Sequence, residues 1–97
     1  MSMPETIPAE AEAARALRDA LIVKTLQPGE SVWLVDERFV ANGPTWVVTL
    51  VRQGEQGTWM HRRYSYDIPS DVLFFAGEAP ISEADAAKGR KTGRMLG

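Results

Sequence analysis

Asn42-Gly43 is the feature that most constrains this chain. The dipeptide stands between two runs of β-branched and aromatic residues, "SVWLVDERFVA" and "TWVVTLVRQ". A two-residue hairpin turn needs positive φ at its centre, which Asn and Gly tolerate, so the two runs are expected to fold back on each other as antiparallel strands. A third run, "TWMHRRYSY", follows the glycine-containing loop "QGEQG", and "DIPSD" breaks it. "VLFFA" then reads as a short buried strand, with helix as the alternative. Residues 30–77 are therefore expected to form a β-meander.

The chain before Glu30 has a different pattern. "PAEAEAARALRDALIVKTLQ" is rich in strong helix formers, places Glu10 and Glu12 early and Lys24 late, and stops at "QPG". A helix is expected over residues 8–27, behind a frayed segment 1–7, with an apolar stripe of Ala13, Leu17, Ala20 and Leu21. At the other end "SEAD" resembles a capping box with Ser82 as the cap, so a short helix is expected over 82–89. Residues 90–97 read as a flexible basic tail.

The segment "LRDALIVKTLQPGE" resembles the first helix and following turn of GntR-type winged-helix regulators. That resemblance implies two further helices, one of them a recognition helix. "SVWLVDERFV" follows instead and reads as strand, so the resemblance supports only a helix end near Gln27.

The expected fold is α+β in a single domain spanning 1–97: an N-terminal helix packed on an antiparallel sheet of three to four strands in meander order, then a short C-terminal helix. The alternative is an SH3-like small β-barrel with flanking helices. A chain of 97 residues can bury a core without metal or disulfide, because roughly 60–70% of the unfolded surface is removed from water at this size. There are no cysteines, which excludes a disulfide framework and thiolate chemistry and is compatible with the expected cytoplasmic location. No apolar run approaches the roughly 20 residues that span a bilayer, and no secretory signal is visible at the start. No membrane partner is expected.

Strand alternation sorts the side chains. Centring the first hairpin on Asn42-Gly43 sets Phe39 opposite Trp46, Glu37 opposite Val48 and Val35 opposite Leu50. Centring the second loop near Gly54 sets Leu50 opposite Met60, Val48 opposite Arg62 and Trp46 opposite Tyr64. One face then holds Trp33, Val35, Phe39, Trp46, Val48, Leu50, Met60 and Tyr64, and is expected to be core. Glu37 and Arg62 flank Val48 on it and are expected to compensate one another. The outer face interleaves valines and threonines with Asp36, Arg38, Trp59, His61 and Arg63, which are the candidate contact residues.

The chemistry available is narrow. His61 is the only histidine. No Gly-x-Ser-x-Gly, His-Glu-x-x-His or phosphate-binding loop occurs, and no activated nucleophile is evident, so an enzyme is not expected. Asp36 lies across Thr49 from His61 in this register and could orient its ring. No metal or other cofactor is expected. The expected function is a non-enzymatic binding or regulatory module that self-associates through the outer sheet face or binds a protein partner. The alternative is single-stranded nucleic-acid binding, with Trp59 stacking a base, Arg63 and Arg38 on phosphates, and Lys88, Arg90, Lys91 and Arg94 as a basic arm. The net charge of −2 weighs against that alternative.

Overall fold

The computed structural model describes residues 8–54 and 57–96; the segment expected to fray, 1–7, and the centre of the second hairpin loop lie outside them. The chain is α+β. A helix α1 (Ala9–Lys24) leads into four strands, β1 (Ser31–Val40), β2 (Thr45–Gln53), β3 (Trp59–Asp67) and β4 (Val72–Pro80). A second helix α2 (Glu83–Thr92) and a short fifth strand β5 (Arg94–Leu96) follow. All pairings are antiparallel and the order is β4-β3-β2-β1-β5. The sheet is open, with β4 and β5 on opposite edges, so the SH3-like barrel is not supported.

The first hairpin pairs Phe39 with Trp46 and Glu37 with Val48, the expected register near the turn, but the turn spans residues 41–44 and neither Asn42 nor Gly43 takes the positive φ expected of a two-residue turn. Farther out it changes. Leu34, not Val35, faces Leu50, because a bulge lies between Leu34 and Asp36. One extra residue reverses the alternation. Val32 and Leu34 therefore enter the core beneath α1, whereas Trp33 and Val35, expected there, join a cluster on the opposite face. The second hairpin closes with Gly54 N–H donating to the Thr58 carbonyl. Its register lies two residues from expectation, with Leu50 opposite Arg62, Val48 opposite Tyr64 and Trp46 opposite Tyr66. A slide of two preserves faces, so Trp59, His61 and Arg63 stay on the outer side.

The main core lies between α1 and the sheet, around Trp46, Val48, Leu50, Tyr64 and Tyr66. The buried face of α1 is not the expected stripe: Ala11, Ala14, Arg18 and Ile22 are buried, and Leu17 is exposed. Arg18 decides the rotation. Its guanidinium lies 4.9 Å from the Trp46 ring centroid and donates to Glu37 at 2.6 Å and to Asp19 at 2.7 Å. With every charge-bearing nitrogen near a partner, an arginine can enter the interior and carry its helix face with it.

The last quarter of the chain is more ordered than expected. Ser82 caps α2 as expected, its Oγ accepting from Asp85 N–H at 3.2 Å. The helix, however, runs to Thr92, and residues 94–96 pair with Leu34, Trp33 and Val32 of β1. Leu96 is buried in the core and Arg94 is ion-paired to Asp19 at 2.7 Å. The segment expected as a flexible basic tail is thus the end of a helix and an edge strand. "VLFFA" is also corrected: it belongs to a nine-residue edge strand on which Val72, Phe74 and Phe75 are exposed.

Candidate binding face

α2 crosses the face of the sheet opposite α1 and divides it. Beneath the helix, Trp33 and Trp59 pack with ring centroids 5.9 Å apart, joined by Val35, Val51, Ile81 and Ala86. Arg90 lies over both rings, 4.3 Å from the Trp59 centroid and 5.8 Å from that of Trp33. Trp59 does point to the outer side, but it is only 7% exposed because α2 covers it. The expectation that it meets solvent is overturned, and so is the placement of Arg90 on a mobile arm.

The other half of that face is open. Its rows follow from the register. Asp36, Thr49, Arg63 and Gly77 form one row, and Arg38, Val47, Ser65 and Phe74 the next. A hollow of about 390 Å³ is lined by Asp36, Glu37, Arg38, Val47, Thr49 and Arg63. A smaller one of about 170 Å³ lies on the far side of Arg63, against His61, Gly77, Glu78 and Ala79. Gly77 has φ of 144°, a conformation L side chains rarely adopt, next to a second bulge. The absence of a side chain there leaves room beside Arg63.

Charge pairing singles out this half. Among the eight arginines, Arg15, Arg18, Arg52, Arg62 and Arg94 are in ion pairs and Arg90 rests on two rings. Arg38 and Arg63 have no ion pair, hydrogen bond or ring contact among the described residues, and the exposed Asp36 beside them has none either. Elsewhere the arginines are held within the fold. Arg52 bridges Glu30 at 2.6 Å and Glu78 at 3.2 Å, and Arg62 binds Glu78 at 3.0 Å and the Tyr64 hydroxyl at 2.9 Å. Burial works against the Arg62 charge, yet Glu78 and Tyr64 outweigh it and hold the guanidinium above its ordinary value. Glu37 is taken by Arg18 and Arg15, so the expected Glu37–Arg62 compensation does not form.

The structure therefore brings Asp36, Arg38 and Arg63 together, sets His61 at their margin, and withdraws Trp59. The two-residue slide places Arg63, not His61, across Thr49 from Asp36, so Asp36 does not take up the expected position beside the His61 ring. Among the described residues no three His, Asp or Glu side chains converge as a metal-ligand set. The cations of the expected basic arm are dispersed: Lys88 and Lys91 are exposed on α2, Arg90 is on the tryptophans and Arg94 is on Asp19. Sequence reasoning missed Phe74, which registers with Ser65 and is 54% exposed on this same face. Alternation carried from Ser65 across the "DIPSD" turn would have found it. No described helix is long and apolar enough to cross a membrane. Scans of family models, curated proteins and solved structures each find nothing that matches this chain.

Proposed function

We propose that this chain is a non-enzymatic binding or regulatory module that self-associates through the open half of its outer sheet face. The observation that supports the reading is the unpartnered set Asp36, Arg38 and Arg63, interleaved with Val47 and flanked by exposed Phe74. Such a set is self-complementary. A two-fold axis through the face brings Asp36 of one copy to Arg63 or Arg38 of the other, twice, over apolar side chains that are otherwise wet.

Sedimentation of the full chain tests this. A concentration-dependent dimer is expected; Arg63→Glu and Asp36→Arg each weaken it, and an equimolar mixture of the two variants restores it by exchanging the charges. A strict monomer at high concentration overturns the reading.

One observation keeps a second reading in view: Phe74 shares a row with Arg38, offering a stacking surface beside cations in place of the covered Trp59. The binding of labelled single-stranded DNA or RNA at low salt separates the two, and none is expected if the face is occupied by a second copy.

A further inference from the structure

The covered half of the outer face raises a question that its open half does not. α2 is a poor candidate for a permanent cover. In "EADAAKGRKT" only Ala86 is buried, so between its tied ends the helix meets the sheet through one methyl group, the Arg90 contact and the fit of Gly89. A ten-residue helix is below the roughly 12–15 residues at which even favourable sequences become helical alone in water. What it hides is of the opposite character: two tryptophans with Val35, Val51 and Ile81.

The fit at Gly89 is close. A Cβ there would stand 2.9 Å from Val35 Cγ1 and 3.0 Å from Val51 Cγ2, so a side chain at this position requires the helix or those valines to shift. The Arg90 Nε, buried over the tryptophans, has no hydrogen-bond partner among the described residues, so the closed state leaves that donor unsatisfied there. Both ends of the helix are tied to the sheet. Ile81 N–H donates to the Trp59 carbonyl, and β5 pairs with β1. Ten residues span about 15 Å as helix and about 33 Å extended, so α2 can leave the sheet while its ends remain attached.

We infer that α2 is an autoinhibitory strap over a second half of the interaction face. Closed, it restricts association to the Asp36–Arg63 half; released, it adds the Trp33–Trp59 surface, which takes the apolar side chains of a second copy. The inference rests on the self-association reading above, because the two halves are continuous through Val51 and its neighbour across the strands, His61.

Three measurements on the full chain test it. Native-state hydrogen exchange is expected to show α2 opening well before β1, β2 and β3. Gly89→Val is expected to release the strap, seen as red-shifted tryptophan emission, and to tighten association by about tenfold or more, the two tryptophans being large apolar groups. Arg90→Gln, which keeps the helix and removes the cation, is expected to move both readouts the same way by less. Exchange of α2 only through global unfolding overturns the strap, and so does a Gly89→Val variant with exposed tryptophans and unchanged association beside a dimeric parent. If parent and variants are all monomeric, the self-association reading falls and the strap's role in it falls too.

Discussion

Arg18 concentrates the energetics of the inner face at one residue. It is fully buried, bonded to Asp19 and Glu37, and stacked on Trp46. Arg18→Met is expected to lower stability by about 3 kcal/mol, the low end for breaking a buried ion pair, since Asp19 keeps Arg94 at 2.7 Å and Glu37 keeps Arg15 at 3.3 Å; the urea midpoint measures it. Tyr66 carries a pH signature. Burial, the hydrogen bond it donates to Asp71, and the charges of Asp71 and Asp67 push its phenol up to about 12, from 10.0 in the unfolded chain. Below the unfolded value the phenol is neutral in both states and its contribution is complete. Between pH 10 and about 12 the unfolded chain ionises first, so stability is expected to fall as pH rises through that window. Alkaline unfolding followed by circular dichroism checks this, and Tyr66→Phe is expected to flatten the slope. Neither role was legible in the sequence. Nothing local in the helix marks Arg18 for burial, because its partner Glu37 lies nineteen positions away.

At the scale of elements, local rules and distant contacts divide the work. The Ser82 cap was readable because a cap depends on residues three apart, and Ser82→Ala is expected to cost about 1 kcal/mol of helix stability. Because α2 buries so little, that loss is expected as faster amide exchange in residues 83–92, with the urea midpoint of the whole chain nearly unmoved. The bulge at Val35 was not readable. It adds a residue to satisfy both α1 above and α2 below, and no local pattern in "SVWLVDERFV" announces it. Edge strand β4 shows the same division. Its second half, Ala76 to Pro80, has a bulge, an acid and a proline, the usual guards of an exposed edge. Its first half, with Val72, Phe74 and Phe75 exposed, lacks them.

For the whole molecule, the sign and arrangement of charge matter more than the total. The net charge of −2 conceals a face where two arginines and one aspartate have no partners among the described residues. If those groups meet in a dimer, raising salt from about 0.01 M to 1 M shortens the screening length from about 30 Å to 3 Å. Association measured by sedimentation should weaken across that range, whereas a contact made only by Phe74 and the valines should hold or strengthen. The single sheet with a helix on each face also explains why the other six arginines are all held within the fold. A thin sandwich has little dry interior, so its margins are closed by ion pairs such as Arg94–Asp19, whose partners are 75 positions apart.

The amino-acid sequence alone determined the order of helix and strands, the turn at residues 41–44, the cap of α2 and the side of the sheet on which Trp59, His61 and Arg63 stand. Turn position, capping and the two-residue alternation act between near neighbours, so they are written locally. Only the tertiary structure decided which face of α1 is buried, where β1 bulges, and that α2 lies over Trp59 while Arg38, Arg63 and Asp36 remain uncovered. Those outcomes depend on side chains meeting across the sheet, and their free energies exist only once the distant segments are packed together.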